Sequence, residues 1–307
     1  MAQAIRYAEY GGPEVLELQE ITLPEPGPGE VRIAVRAAGV NPIDWKIRSG
    51  AFTPGQELAA PRGTGIEAAG VVDAVGPDVD TVAPGDEVFG NVGGGAAATH
   101  VIAQAAALVQ KPDWLSFEEA AALPVAAETS VRTLRYLDVH SGQTLLVHAA
   151  TGAVGLVASQ LAIARGLTVV GTAGPGRHEF LRELGVRPVA YGDGWVDRVR
   201  EAAPDGIDVV LDASGRGVLA ESVALTGDPA KVVTIAGGDT AETGVHFSSG
   251  GTEAVPTAEV FTEALPLLRS GRLRLPVAKT FPLAQAADAH RLSEDGHVLG
   301  KIVFRVG

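Results

Sequence analysis

The segment TLLVHAATGAVGLVASQ, residues 144–160, decides the fold of this chain. It predicts an apolar strand, a glycine turn and a helix rich in small residues, an arrangement that binds a nucleotide pyrophosphate. Gly152 lets the backbone approach the phosphates, and Gly155 lets the helix pack closely on the strand. The motif is partial, because Ala150 stands where G-x-G-x-x-G has its first glycine, and the alternative is an ordinary strand-to-helix turn. The predicted nucleotide contacts are Ala150, Thr151, Gly152, Ala153, Val154 and Gly155.

Composition limits the classes of protein. The chain has 307 residues, more than one hydrophobic core usually fills, so we expect about two domains. The net charge is -13 and no segment carries a stripe of Lys or Arg, which argues against a nucleic-acid partner. No apolar stretch reaches the ~20 residues that span a bilayer, and MAQAIRYAEY lacks a signal-peptide core, so we expect a cytoplasmic protein without membrane contact. The absence of cysteine excludes disulfides, thiol catalysis and sulfur-bound zinc.

The chain contains two regions with different sequence patterns. Residues 1–123 contain short, β-branched, alternating segments separated by Pro and Gly, which predict a mostly β domain. Residues 124–263 alternate apolar strands with helical segments, which predicts a doubly wound parallel sheet of the Rossmann type. Residues 264–307 return to short β-like pieces after a helix, and we expect them to complete the first domain. The predicted class is therefore α/β, with one Rossmann domain and one mostly β domain.

Five motifs in order carry a family resemblance. They are AAGVNPIDWKIRSG at 37–50, GTGIEAAGVVDAVG at 63–76, GDEVFG at 85–90, the segment 144–160 and the closing GHVLGKIVF. Together they resemble the medium-chain dehydrogenase/reductase family, and more narrowly its zinc-free quinone oxidoreductase branch, whose members are similar to zeta-crystallin. The resemblance implies a GroES-like catalytic domain at 1–123, completed by 264–307, a Rossmann domain at 124–263, and a homodimer.

Departures from the zinc-dependent relatives indicate the chemistry. Asn41 stands where those relatives have a cysteine ligand, and Ile66 stands where they have the histidine of G-H-E. We therefore predict no metal site. Without a Lewis acid, alcohol oxidation is disfavoured, whereas quinones and α,β-unsaturated carbonyls are already activated acceptors.

The end of the second Rossmann strand indicates the nucleotide. An NAD-binding unit has an Asp or Glu about 20 residues after the first glycine, but the first acidic residue after LTVVGTA is Glu179. Arg177 is predicted to bind a 2′-phosphate, so the expected cofactor is NADPH. Thr172 and His178 lie in the same turn, and the family adds Tyr191 beside the adenosine phosphate. The alternatives are a solvated Arg177, a surface His178 and a core Tyr191.

The remaining site residues follow from the resemblance. It implies that Asn41 and Asp44 face the reacting ring as catalytic residues, although a turn at Asn41-Pro42 and a helix cap at Asp44 explain them equally well. Lys301 is expected to reach the cofactor or to pair on the surface, and Glu128 to be a solvated helix residue or to alter the polarity near the acceptor. His148 is expected to be a satisfied core residue. The further predicted cofactor contacts are Thr129, Ala213, Ser214, Ile235, Ala236, Phe247, Ser248 and Lys301.

These residues together favour a hydride-transfer enzyme. The leading hypothesis is a zinc-independent oxidoreductase that reduces a quinone or an α,β-unsaturated carbonyl with NADPH and needs no obligatory side-chain acid. One alternative is a biosynthetic enoyl reductase acting on a carrier-bound or polyketide-like chain. The other is a protein that binds NADPH without turnover.

Overall fold

The computed structural model describes residues 1–307. The strands are β1 (Ala2–Tyr7), β2 (Glu17–Ile21), β3 (Glu30–Val40), β4 (Arg62–Gly63), β5 (Glu67–Val75), β6 (Glu87–Asn91), β7 (His100–Gln104), β8 (Leu108–Gln110), β9 (Thr144–His148), β10 (Thr168–Ala173), β11 (Arg187–Ala190), β12 (Val209–Asp212), β13 (Val232–Thr234), β14 (His246–Phe247), β15 (Val277–Pro282) and β16 (Lys301–Arg305). The helices are α1 (Pro42–Arg48), α2 (Phe117–Ala121), α3 (Pro124–Tyr136), α4 (Ala153–Ala164), α5 (His178–Glu183), α6 (Trp195–Ala202), α7 (Leu219–Thr226), α8 (Thr240–Thr243), α9 (Thr257–Arg269) and α10 (Ala286–Asp295).

The chain divides into two compact units, each made from separate segments. Unit 1 consists of Met1–Val125, Pro256–Phe261 and Leu275–Gly307, and unit 2 of Ala126–Val255 and Thr262–Arg274. Helix α9 therefore contributes to both units, whereas the predicted division ends the Rossmann domain within that helix, at residue 263. None of the helices is long and apolar enough to cross a bilayer.

Unit 1 is built on antiparallel strands. Its larger sheet has the order β15-β16-β3-β5-β6-β8, and β7 also pairs with β3, while β2, β1 and β4 form a smaller sheet. Strand β3 is long and mostly buried, because its apolar residues pack into the core of this unit around Ile33, Val72 and Phe304. Consequently β3 has β16 on one side and β5 on the other, and these three strands position the residues that follow their ends.

Unit 2 contains one parallel sheet of order β11-β10-β9-β12-β13-β14. Apolar runs such as those of β9, β10 and β12 are buried because helices cover a parallel sheet on both faces, and Leu146, Val170 and Val210 lie in the core. The strand order changes direction beside β9. From β9 the chain adds β10 and β11 toward one edge of the sheet, and it then returns to add β12, β13 and β14 on the other side of β9. In such sheets ligands bind at the carboxyl ends of the strands, near the point of reversal. The predicted α/β class with a parallel Rossmann sheet and a separate β-rich unit is confirmed.

Candidate active site

The predicted nucleotide turn lies at the carboxyl end of β9. Ala149 follows that strand with a positive φ of 57°, and the N–H of Ala150 donates to the carbonyl of Thr172 on β10 at 3.0 Å. Gly152 is the N-cap of α4. A Cβ on Gly155 would lie 2.8 Å from the Cα of Ala150, closer than real side chains approach. Gly155 therefore permits the close contact between helix and turn that the sequence predicted.

The start of α4 is suited to an anion. No side chain caps the helix at Gly152, so the N–H groups of its first turn are not satisfied by a capping side chain. Ala150 is fully buried beneath the turn, whereas residues 151–154 are partly exposed. The exposed part of the turn can hold the pyrophosphate of a dinucleotide, and the buried Ala150 packs against the protein side of the turn.

Thr172 acts on the turn from the neighbouring strand. Its side chain is buried, and its hydroxyl accepts from the N–H of Ala149 at 3.2 Å and lies 3.3 Å from Nδ1 of His148. His148 is buried and its Nε2 lies 3.1 Å from the hydroxyl of Ser222. His148 is thus a satisfied core residue, as expected. The bonds of Thr172 place it as a support for the backbone of the turn.

The turn after β10 carries the basic residues predicted for the 2′-phosphate. Arg177 is exposed at the end of a short turn, directly before α5. His178 is half-buried, with Nε2 3.1 Å from the carbonyl oxygen of Ala173. Tyr191 is 60% exposed, so its interpretation as a core aromatic is wrong. An exposed guanidinium and phenol ring at this edge can both reach a ligand.

Arg198 is a residue that the sequence reasoning missed. Its guanidinium extends from α6 and donates to the carbonyls of Ala190 and Gly192, each at 3.0 Å. These bonds fix the chain on both sides of Tyr191. The signal in the sequence was an arginine seven residues after the tyrosine, separated from it by the two turn glycines of YGDG.

The ends of β12 and β13 are held together by a buried carboxylate. Asp212 accepts from the hydroxyl of Ser214 at 2.6 Å and from the hydroxyl of Thr234 at 2.9 Å. This arrangement orders the short loops after both strands, where the predicted contacts are only partly buried. Those partly buried residues are Ala213, Ser214, Ile235 and Ala236.

A buried arginine organises a further group of predicted contacts in unit 2. Arg132 on α3 donates to Glu128 at 2.9 Å, to the hydroxyl of Ser248, and to the hydroxyl of Thr129 at 3.4 Å. Glu128 also accepts from the N–H of Val255 at 3.2 Å, so its interpretation as a solvated helix residue is wrong. The bonds of Glu128 fix the loop beyond β14, where Ser248 is buried. Next to it, the side chain of Phe247 is 40% exposed.

In unit 1, Asn41 and Asp44 form the first turn of α1. The N–H of Asn41 donates to Oδ2 of Asp44 at 2.7 Å, and the N–H of Asp44 donates to the carbonyl of Asn41 at 3.0 Å. Both side chains are buried. The cap expected at Asp44 is thus present, and it uses only one of the two carboxylate oxygens, because Oδ1 has no hydrogen-bond partner.

Lys301 is buried beside Asn41. Its Nζ donates to Oδ1 of Asn41 at 2.6 Å and lies 2.5 Å from Oε1 of Glu67. The Nδ2 of Asn41 donates to the same carboxylate oxygen at 2.7 Å. Lys301 is 3% exposed, so the expectation that it pairs on the surface is wrong. Its contact with a cofactor stays a prediction.

Strand register explains why these three residues meet. In the antiparallel pair of β16 and β3, Ile302 lies opposite Val40, which places the preceding Lys301 next to Asn41. In the pair of β3 and β5, Ala38 lies opposite Ala68, which brings Glu67 to the same end of the sheet. Three neighbouring strands therefore deliver one cation, one carboxylate and one amide to a single buried position.

The donor set at this position does not fit zinc. Ile66 has no coordinating atom, and both Asn41 and Glu67 are already bonded to the ammonium of Lys301. No group of three or more His, Cys, Asp or Glu side chains with metal-binding geometry occurs in the structure. The side-chain oxygens that could bind a metal here are thus already bonded to the ammonium of Lys301.

Burial changes the protonation of Asp44. The pKa of this carboxyl is raised from its usual 3.8 to about 7, mainly by desolvation and in smaller part by the nearby charge of Glu67. The hydrogen bond from the N–H of Asn41 and the charge of Lys301 lower the pKa and so limit the shift. Near neutral pH, Asp44 is therefore present in both protonated and ionised forms.

Comparison with known proteins now identifies the family. The model of the alcohol dehydrogenase GroES-like domain matches residues 27–113, and that of the zinc-binding dehydrogenases matches residues 184–304. A quinone oxidoreductase of Pseudomonas aeruginosa is 35% identical over 94% of this chain and 95% of its own length. The chain belongs to the medium-chain dehydrogenase/reductase family. Within it, the relatives place this dehydrogenase/reductase in the zinc-free quinone oxidoreductase branch, as the motifs predicted.

Solved structures of the family show the same fold. The Escherichia coli quinone oxidoreductase, a complex with NADPH, has a TM-score of 0.87 and 28% identity, and the match covers 99% of both chains. The CurK enoyl reductase has a TM-score of 0.88 and 26% identity, and the match covers 100% of this chain and 99% of the other. This dehydrogenase/reductase is therefore an oxidoreductase by family, and a solved relative with NADPH supports the predicted cofactor.

Proposed function

We propose that this protein transfers hydride from NADPH to a quinone or an α,β-unsaturated carbonyl, without a metal. The observation that carries the proposal is the buried ammonium of Lys301 bonded to Asn41 and Glu67. A site that holds this cation lacks the Lewis acid which alcohol oxidation needs, but it can still reduce an acceptor that is already electrophilic.

Unit 2 supplies the nucleotide site of the proposal. The turn from Ala150 to Gly155 holds the pyrophosphate, and exposed Arg177 and Tyr191 receive the adenosine 2′-phosphate. Bound NADPH supplies the hydride. Most of the other predicted cofactor contacts of unit 2 lie around the strand ends that Asp212 orders and around the loop that Arg132 orders.

Unit 1 supplies the groups for the acceptor. The amide of Asn41 donates to the acceptor's oxygen and stabilises the negative charge that develops there as hydride arrives. Asp44 holds the first turn of α1 through the N–H of Asn41. No side chain is required as an acid, because the reduced product collects its proton from water.

The proposal is tested by following NADPH oxidation with a panel of quinones and enones. We expect turnover with at least one class, and Asn41→Ala should lower kcat by less than the 10²- to 10⁴-fold that the loss of a dedicated acid costs. If NADPH binds but no acceptor oxidises it, the protein is a binding protein without turnover and the proposal is wrong.

Nucleotide choice is tested separately. Arg177→Ala should raise the Kd for NADPH about 10- to 100-fold, because a charge-assisted hydrogen bond is lost, and should leave the Kd for NADH unchanged. Arg182→Ala is the matched control, since this arginine is also exposed and lies on α5. An equal loss of NADH affinity in the Arg177 variant would show that the residue does not select the phosphate.

A biosynthetic enoyl reductase is the second candidate. The fold likeness to the CurK enoyl reductase over the full chain favours it. Both activities use the same cofactor and the same hydride acceptor chemistry, so the acceptor panel includes α,β-unsaturated thioesters beside free quinones. A kcat/KM for a thioester well above that for every quinone would favour this second function.

A further inference from the structure

We propose that the ammonium of Lys301, together with the carboxylate of Glu67, sets the orientation of the Asn41 amide, which makes Lys301 a positioning residue. The inference rests on the proposed function for its catalytic meaning, but the arrangement of the charges stands on the geometry alone. Asn41 occupies the position of a metal-binding cysteine in zinc-dependent relatives, and Glu67 is the carboxylate of the former G-H-E motif.

The amide of Asn41 has two different ends, and each has a charged partner. Its oxygen accepts from the ammonium of Lys301 at 2.6 Å, and its nitrogen donates to the carboxylate of Glu67 at 2.7 Å. A flip of the amide would place its N–H groups against the ammonium and its oxygen against the carboxylate. The two charges therefore permit one orientation only.

In this orientation, one N–H group of the Asn41 side chain is not used by Glu67. A side-chain amide has two N–H groups, and only one of them is used by Glu67. The second N–H of Asn41 is not used by this carboxylate and is the group that we assign to the acceptor's oxygen. Lys301 itself does not need to touch the acceptor, because it acts by fixing the donor.

The surroundings of Glu67 hold its carboxylate in a fixed position. Glu67 is fully buried, and its second oxygen accepts from the N–H of Val125 at 2.8 Å. A Cβ on Gly39 would overlap the carboxylate and lie 2.7 Å from the carbonyl oxygen of Ala121. The glycine thus leaves space for the carboxylate at this end of β3.

Charge balance explains why an ammonium is needed there. A fully buried carboxylate without a countercharge strongly destabilises the folded chain, and Lys301 supplies that countercharge at 2.5 Å. One lysine on β16 therefore provides both the compensation of Glu67 and the orientation of Asn41.

The first measurement does not depend on activity. We expect the purified protein to retain no zinc after desalting and to take up none from equimolar zinc chloride, as measured by elemental analysis. Stoichiometric zinc in the wild type would overturn the proposal. In a double-mutant cycle on urea unfolding, Lys301→Met and Asn41→Ala should be coupled by at least about tenfold in the folding equilibrium constant, and purely additive effects would also overturn it.

The second measurement separates positioning from cofactor binding. Lys301→Met should lower kcat about tenfold and by no more than Asn41→Ala does, because a misplaced donor is lost to the transition state, while the Kd for NADPH by calorimetry changes less than about threefold. Lys279→Met is the matched control, since Lys279 is an exposed lysine on the adjacent strand β15. Unchanged kcat, or a loss confined to the Kd, contradicts the proposal.

The double variant Lys301→Met, Glu67→Gln separates positioning from charge compensation. It removes the buried carboxylate that Lys301→Met leaves unpaired, so the urea midpoint should recover. Because this variant lacks both charges that orient the Asn41 amide, kcat should stay low while stability recovers; if kcat also recovers, Lys301 only compensates charge and the proposal is wrong. Wild-type protein without turnover on any acceptor would refute the proposed function, and the unfolding cycle and zinc analysis would still decide the arrangement of charges.

Discussion

At the scale of single residues, Asp44 makes the folded protein sensitive to pH. Its pKa is about 7 in the folded chain and near 3.9 in an unfolded one, so between these values only the folded state holds the proton. Folding stability therefore falls as pH rises through this window and is level above it. The charged groups that act on Asp44 lie on two strands, namely Glu67 on β5 and Lys301 on β16, and Asp44 in turn raises the pKa of Tyr7 on β1.

Asp44→Asn should remove this dependence. The amide keeps an oxygen for the N–H of Asn41 but carries no charge, so the variant should gain stability relative to the wild type by roughly 1.4 kcal/mol per pH unit between about 4 and 7. The measurement is the difference in urea midpoint between variant and wild type at several pH values. A difference that is the same at pH 5 and pH 8 would show that Asp44 ionises normally.

The sequence predicted part of this residue group and not the rest. Asn41 and Asp44 were identified by their motif, and both expected roles, cap and catalytic group, remain compatible with the buried turn. The position of Lys301 was missed, because its partner Asn41 lies 260 residues away and no local pattern reports such a pair. The resemblance pointed to the lysine, but only strand register shows that it is buried.

At the scale of elements, the two glycines of the nucleotide turn have different tasks. A Cβ on Gly155 would come within 2.8 Å of the Cα of Ala150, whereas a Cβ on Gly152 would meet its nearest neighbour, the carbonyl oxygen of Ala149, at an ordinary 3.5 Å. Gly155 is thus required by the packing of α4 on the turn that follows β9, whereas packing within the chain leaves room for a side chain at Gly152.

Gly152→Ala should separate binding from folding. We expect its urea midpoint to match the wild type, while the Kd for NADPH rises at least about tenfold, because the methyl group occupies space close to the pyrophosphate. Gly155→Ala should lower the urea midpoint, since overpacking typically costs 1–3 kcal/mol. Gly176→Ala is the control, because a Cβ there meets no atom within 4 Å. Normal NADPH affinity in the Gly152 variant would contradict a phosphate site at this turn.

Elements of the Rossmann sheet were more predictable than contacts between loops. The alternation of apolar strands and helices from β9 to β13 is local, and these elements occur where the sequence predicted them. Of the two alternatives for Glu128, the solvated helix residue is wrong because its partners, Arg132 and the N–H of Val255, include a loop that is distant in sequence. The helical pattern alone gives no sign that this carboxylate holds a loop.

At the scale of the whole molecule, each unit contains one buried neutral histidine. Burial lowers the pKa of His148 in unit 2 to about 4, and it lowers that of His290 in unit 1 to about 4, where Arg48 adds to the effect. Both histidines ionise near 6.5 when unfolded, so the stability that they contribute is present above this pH and is lost as pH falls towards 4.

Acid should therefore act differently on the two units. In unit 1 the uptake of a proton by unfolded His290 is offset by the proton that folded Asp44 already holds, whereas in unit 2 nothing comparable offsets His148. We expect amide protons of unit 2 to exchange faster at pH 5 than at pH 7, after correction for intrinsic rates, and those of unit 1 to change little. Equal acceleration in both units would contradict this assignment.

Assembly is a further expectation at this scale. By family resemblance we expect a homodimer, and the chain mass is 31.4 kDa. Sedimentation equilibrium should therefore give twice this mass, and a value equal to that of one chain over the working concentration range would contradict the expectation.

The position of β16 between β15 and β3 also determines the order in which the chain can fold. Strand β3 leaves the ribosome early, but its neighbour β16 is made more than 250 residues later, and until then Glu67 has no cation beside it. Unit 2 is made almost entirely in the interval, from one nearly continuous segment. A nascent chain therefore carries an incomplete unit 1 for most of its synthesis, which predicts that chaperones bind its first 125 residues until the final strand is released.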